Sequence, residues 1–440
     1  MARIRFSAPL RPHQWRRGLA VAAAGAMLAV GLTACSSGGS GTDSSSSPVT
    51  ISFWSWVPGI EKAVAQWNKQ NPDIHVKFTR ISSADSSKTQ TAVEAGTGPD
   101  VAQFSQHDLP DYVIKHDVLD ITKYVGSTKN RYTASSWQAV DFSGHVYAVP
   151  QDSGPHALMY RKDIFEQYGL TVPKTWDEYI ADAKKLHAAN PKIYIAQFSA
   201  NEPGMYYGDM VQGGGSWYGT KGDSWTVDVN SAANKKVFAR YQTLLDDGLV
   251  KNEQMWTQQY WSDVNNGTIA SINYAAWFPT ILESNTKGLS GKWAVAPSPS
   301  DSGNGVSGDS GGSVNAIMKG AKHPEQAAKF ITWLNSSKSG VDHLIEQGGL
   351  FPSAKIGQSS SLLQKSSTFF GGQNINKVFQ KAASHVPTKN VEGPQYEATY
   401  TEIQDQFAKV SNGTATFDQA LNATEQKVKS NLKSAGLSVK

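Results

Sequence analysis

The stretch Gly144–Trp176 constrains the fold more than any other part of the chain. A strand-like run, Val146–Val149, is closed by Pro150; six residues rich in Gly, Pro, Ser and Asp follow, and a second apolar run, Ala157–Tyr160, resumes the extended pattern. That reads as a strand, a crossing and a strand. Gly169 and Pro173 then lead into Thr175-Trp176-Asp177-Glu178, a capping box in which the Thr hydroxyl and the Glu carboxylate satisfy each other's orphan backbone N–H groups, so a helix is predicted from Trp176. The segment joins two stretches that each read as a separate α/β lobe.

Upstream, Val49–Phe53 alternates β-branched or aromatic residues with polar ones and runs into Trp54-Ser55-Trp56. Ile60, Val64 and Trp67 recur at helical spacing until Asn71-Pro72, and Ile74, Val76 and Phe78 then alternate as a second strand. A further helix ends at Gly96-Thr-Gly98 and a short strand, Val101–Phe104, leads to the polar loop Ser105–Asp108. Strands separated by helices imply a mostly parallel sheet, whose ligands gather at the carboxyl ends of the strands. Downstream the alternation resumes: helices over 176–188, from the cap Ser231, over 260–266 and over 324–334; strands over 193–198, 268–274, 293–296 and 314–318; and helices over 401–410 and 417–432. Asn201–Gly204 and Gly213–Trp217 read as loops, and the Gly run fits neither phosphate-binding motif.

The 440 residues are enough for two or three domain-sized cores. The formal net charge of +4 is set by the N-terminus: five arginines lie within residues 1–34, and without them 36 basic residues face 37 acidic ones. Such a balance gives no charge-based reason to expect nucleic acid or an acidic membrane as partner. Arg16-Arg17, the apolar stretch Gly18–Leu32 and Leu32-Thr-Ala-Cys35 together form an export signal. Leu-Thr-Ala-Cys resembles the lipobox of bacterial lipoproteins, which implies lipidation of Cys35 as the first mature residue, with the Ser/Gly-rich segment 35–48 as a flexible tether. Cys35 is the sole cysteine, which excludes an intrachain disulfide and a thiolate metal cluster.

Seven stretches, in order, resemble the bacterial extracellular solute-binding proteins of the sugar-binding type, the receptors of ATP-driven importers. They are 67–74, 95–101, 146–150 (Val-Tyr-Ala-Val-Pro), 159–165 (Met-Tyr-Arg-Lys-Asp-Ile-Phe), 168–179, 266–270 (Asn-Gly-Thr-Ile-Ala) and 322–331. The resemblance implies an α/β, two-lobed periplasmic-binding-protein fold (type II-like), each lobe a mostly parallel sheet flanked by helices, with a cleft between. Crossings are expected near Pro150–Gly154, Pro297–Ser300 and Gly348–Pro352. Lobe one would then be 48–151 with 300–348, and lobe two 152–299 with 349–440. It also implies a carbohydrate ligand, a membrane permease of an ABC transporter as partner, a monomer lipid-anchored on the outer face of the cytoplasmic membrane, and no cofactor.

A sugar offers apolar C–H faces and a rim of hydroxyls, so its cleft needs flat aromatics with carboxylates and amides around them. Trp54, Trp56, Trp217 and Trp277 stand where strands end or Gly-rich loops turn, and Gln106, His107, Asp108, Asp152, Glu202, Asn273 and Asp309 are the polar candidates. The competing assignment for the tryptophans is core packing, and for the loop carboxylates and amides it is capping. His107 has no second His or Cys at metal-ligand spacing. A glycoside hydrolase would need two carboxylates about 5–10 Å apart, and 37 acidic residues make some such pair unavoidable, so their number decides nothing. No GxSxG or HExxH motif is present. A binding protein for a peptide or polyamine is the remaining alternative.

Overall fold

Ile51 and Phe53 alternate inward along the strand Val49–Ser55 and are fully buried. In the computed structural model, which describes residues 48–82, 86–388 and 391–440, this strand pairs in parallel with Ile74–Arg80 and with Val101–Ser105. The export segment, Cys35 and most of the tether lie outside the described residues. Helix Ile60–Gln70 connects the first two strands, burying Ile60, Ala63, Val64 and Trp67; the Trp67 indole N–H donates to the Ile74 carbonyl at 3.1 Å, tying helix to strand. Ser313–Ile317 and Ala148–Pro150 complete the sheet as antiparallel additions from far along the chain. Helix Pro324–Ser336 covers it, with Phe330 edge-on to Phe53 at 5.2 Å and to Trp67 at 5.4 Å. These residues form one apolar core, that of lobe one.

Lobe two holds a second core. The predicted capping box is formed, Thr175 and Glu178 opening helix Trp176–Ala189. Phe198 and Phe238, from two elements, each meet Phe407 and Phe417, from two others, at ring-centre distances of 5.0–6.2 Å. Burying each such ring contributes about 1.5–3 kcal/mol. The expectation of a mostly parallel sheet in each lobe is corrected: two of the four strand pairings in lobe one are antiparallel, and here His156–Arg161 is flanked on both sides by antiparallel strands, Ser271–Ala275 and Trp293–Pro297. A parallel pair, Ala196–Phe198 with Val250–Asn252, lies beside them. Apolar patterning specifies which residues are extended, while strand direction is set by where the long connections return.

Three chain segments cross between the lobes side by side. Residues 151–156 bond to the second segment through Gln151 N–H to Ser313 O, Ser310 N–H to Gly154 O and His156 N–H to Gly308 O, and to the third through Ser153 N–H to Phe351 O. The packing is so close that a Cβ on Gly154 would meet the Ser310 carbonyl oxygen at 2.1 Å. The second crossing runs through about 307–313 and not 297–300, because Ser300 N–H is bonded to Lys174 O and the Gln212 amide holds the carbonyls of Pro299 and Val306, all within lobe two. Beyond the third crossing the chain stays on lobe one longer than expected: Ala354 lies in the first core and Ser360 bonds to Asp342, and Leu363 returns to the second core.

Candidate ligand-binding site

The strand Val101–Ser105 delivers its carboxyl end to the space between the lobes. There Ser105 caps a single 3-10 turn, Gln106–Asp108, its hydroxyl accepting the His107 N–H at 3.4 Å. Lobe two answers with helix Pro203–Gln212, begun by Pro203 in its first turn, with the end of strand Ser271–Ala275, and with helix Tyr396–Ser411.

His107 and Glu392 join the two sides. The imidazole Nδ1 is 2.8 Å from the Glu392 carboxylate, whose other oxygen accepts the Tyr207 hydroxyl at 3.0 Å. The His107 ring lies flat on Tyr396 at 4.4 Å and edge-on to Tyr207 at 5.2 Å. Only 5% and 8% of the two side chains is exposed, so water screens the pair little. Burial works to lower the imidazolium's pKa, but the Glu392 carboxylate, with Asp108 and Asp309 nearby, outweighs it and raises it above the usual histidine value. A second bond across the lobes runs from Gln395 N–H to the Asp111 carboxylate. Both contacts tie residues 107–111 to residues 392–395.

Two cavities flank this pair. The smaller, about 140 Å³, is walled by Tyr207, Tyr274, Trp277, Tyr396 and Tyr400, with His107, Glu202, Ser310 and Gly311 completing it. The larger, about 350 Å³, is more polar and includes Gln106, Ser136, Gln138, Asp141, Asp309 and Glu392, sharing Tyr207 with the first. Burial, reinforced by Glu202, pushes the Tyr274 and Tyr400 hydroxyls well above the ordinary phenol value, so they stay neutral donors. Both donate to one Glu202 oxygen, at 2.9 and 3.0 Å, and the Trp256 indole N–H donates to the other at 2.6 Å. The chamber therefore offers flat apolar faces held by a buried polar frame, a surface for stacking and hydrogen bonding.

Among the residues singled out from the sequence, the structure brings His107, Glu202 and Trp277 to the aromatic chamber and Gln106 and Asp309 to the larger cavity. The Trp277 indole donates to Ser310 O at 3.1 Å. Asp108 is buried beside His107. Asp152 sits in the first crossing, accepting the Ser313 N–H at 3.0 Å as well as its hydroxyl; burial raises its pKa to about 6 against those two donors. Burial likewise raises Asp309 to about 7, opposed by the Gly154 N–H.

Four are placed elsewhere. Trp217 is 1% exposed and stacks behind Tyr396 at 5.0 Å, a core ring supporting the wall. Asn273 bonds to Asp209 and Ser298 inside lobe two. Trp54 projects from the sheet face opposite Phe53, and Trp56 packs on the first core with its backbone N–H on Gln103, and neither ring lines the two cavities described above. The strand end points toward the cleft as an address, but Trp54, one residue before it, alternates onto the face opposite Phe53 and Ser55.

Tyr207, Tyr274, Tyr396, Tyr400 and Glu392 were not legible as site residues. Tyr396 and Tyr400 stand four apart at a helix start, and Tyr274 ends a predicted strand just before Trp277; those spacings were the available signal. Glu392 carries none, since its partner lies 285 residues away.

Residues 54–341 match the sequence profile of the bacterial extracellular solute-binding proteins. The chain belongs to that family. It is 32% identical to the galacto-N-biose/lacto-N-biose I-binding protein of the ABC transporter from Bifidobacterium longum, solved with lacto-N-biose, with a TM-score of 0.79 over 89% of this chain and 99% of that one. The ABC transporter associated binding protein from B. animalis subsp. lactis, solved with β-1,6-galactobiose, is 29% identical with a TM-score of 0.74, covering 89% and 100%. The lactose-binding protein of Rhizobium radiobacter is 25% identical, the match covering 85% of this chain and 91% of that protein. As a member of the family, this chain shares the two-lobed architecture described above.

Proposed function

We propose that the protein is an extracytoplasmic receptor that closes its lobes on a mono- or oligosaccharide and presents the closed form to the membrane permease of an ABC importer. The observation that carries this reading is the aromatic chamber between the lobes, in a chain whose relatives are binding proteins for lactose, lacto-N-biose and β-1,6-galactobiose. Trp277 and the tyrosines supply faces for sugar C–H groups, and neutral phenols and His107 supply hydrogen bonds to hydroxyls. Contacts from both lobes to one ligand favour the closed state, by no more than the ligand's differential affinity for the two states. The same reading makes Cys35 the lipid attachment that holds a monomeric body near its permease. The chemistry is binding, with no turnover and no cofactor.

Calorimetry of the purified protein against a glycan panel that includes lactose, lacto-N-biose and β-1,6-galactobiose tests it. Saturable binding with every glycan recovered intact is expected. Hydrolysis of a glycan would favour the glycosidase alternative, and binding of peptides or polyamines in place of sugars would overturn the ligand class.

A further inference from the structure

Trp256 combines two features that a large aromatic residue seldom shows. The residue is 39% exposed, and its backbone is in the left-handed region at φ 72°, a conformation that is a genuine outlier for a bulky side chain. Both neighbours are pinned. The Asn201 side chain accepts the Met255 N–H at 3.1 Å and donates to the Met255 carbonyl at 3.2 Å, and Thr257 caps helix Gln258–Asn266. The ring is fixed by its bond to Glu202, by an edge contact with Phe278 at 5.8 Å and by a tilted contact with Trp261 at 6.3 Å. Strain held in place by surrounding structure is characteristic of ligand clamps.

The direction in which it is held connects it to the cleft. Trp256 lies nearly parallel to Trp277, 24° apart with ring centres 6.5 Å apart, and Trp277 is a wall of the aromatic chamber. Glu202 accepts from Trp256 on one oxygen and from two chamber tyrosines on the other, so one carboxylate aligns the inner and outer rings.

Resting on the sugar-binding reading, we infer that Trp256 is an outer stacking platform: with one sugar ring against Trp277 inside the chamber, the next ring of the same glycan lies on Trp256 at its mouth. The site is thereby built for a disaccharide or longer chain, and Trp256 discriminates by length. Glu202 is a positioning residue that acts through Trp256, Tyr274 and Tyr400.

The test is calorimetry of wild type, Trp256→Ala and Trp256→Phe with lactose, lacto-N-biose, β-1,6-galactobiose and maltose, and with galactose and glucose. Trp256→Ala is expected to weaken the disaccharide that wild type binds by about tenfold, to leave the monosaccharides within about twofold, and to be largely rescued in Trp256→Phe. Equal weakening of both ligand classes, or no change in either, overturns the platform. Wild type binding none of the six overturns the sugar reading itself, and the platform with it. Acrylamide quenching of wild-type tryptophan fluorescence reads the same contact without a variant. The bound disaccharide should shield a fluorophore that galactose leaves accessible, and equal quenching with either sugar contradicts the assignment.

Discussion

Replacing Glu392 with Gln should open the ligand-free protein. His107 belongs to lobe one and Glu392 to lobe two, 2.8 Å apart and almost wholly shielded, with Tyr207 on the second carboxylate oxygen. A hydrogen bond to a charged group contributes about 1.5–3 kcal/mol, and a buried pair that loses a partner outright costs about 3–5 kcal/mol. The amide keeps the shape and one acceptor, so the smaller range applies, which shifts the closing equilibrium toward open by about ten- to hundredfold. The wild type should show the same change with pH. The closed form holds the His107 proton more tightly than the open form, since Glu392 raises its pKa above the usual 6.5. The stabilisation of closure is thus complete below about pH 6.5 and is lost as pH rises through the higher closed-form value. Asp152 and Asp309, raised to about 6 and about 7 by burial, lie in the crossing segments and accept from Ser313 and Gly154 there, so their ionisation bears on the packing of the crossings. Asp108, Tyr207 and Tyr396 are the other groups facing the imidazole. Small-angle scattering of ligand-free protein from about pH 5.5 to about pH 9 measures this. A radius of gyration that grows with pH in wild type, and is already large at the acid end in Glu392→Gln, is expected. Identical, pH-independent profiles for the two proteins would refute the His107–Glu392 pair as what holds the lobes together.

Other substitutions separate wall from core. Trp217→Ala removes a ring that is 1% exposed and should cost about 3–5 kcal/mol of stability without ligand present, read as a lower Tm. Asp309→Asn replaces a buried carboxyl with pKa about 7 by a neutral amide. Wild-type stability should fall as pH rises from about 4, the ordinary carboxylate value, to about 7, the value in the folded protein, and level off above it, and thermal melts of the variant should show a smaller fall. Thr175→Ala breaks the capping box of helix Trp176–Ala189 and should cost about 1 kcal/mol in denaturant unfolding, with ligand affinity unchanged.

The sequence carried the elements well where local physics decides them. Helix Ile60–Gln70 ends where Asn71-Pro72 requires, the Thr175 capping box forms, and the crossing after Pro150 is where a polar, Gly-containing run interrupts two strands. It misplaced the second crossing because Pro297–Ser300 carries the same turn chemistry as a real hinge; its attachment to Lys174 and Gln212 is tertiary. Tryptophans misled in both directions for a related reason. Trp217 follows a glycine run as a cleft ring would, yet it packs behind Tyr396, while Trp256 owes its place to a positive φ that no residue pattern announces. The His107–Glu392 pair could not be read from a chain in which its members are 285 residues apart. It exists only when two lobes meet.

The central claim is that the closed lobes bind a sugar and release it unchanged. Equilibrium dialysis of the purified protein with isotopically labelled lacto-N-biose or β-1,6-galactobiose, followed by mass analysis of what is recovered, addresses it most directly. One equivalent of at least one of these glycans retained per chain, recovered intact and lost in Trp277→Ala, is the predicted result. Retention of neither, or recovery of its monosaccharides, would contradict it.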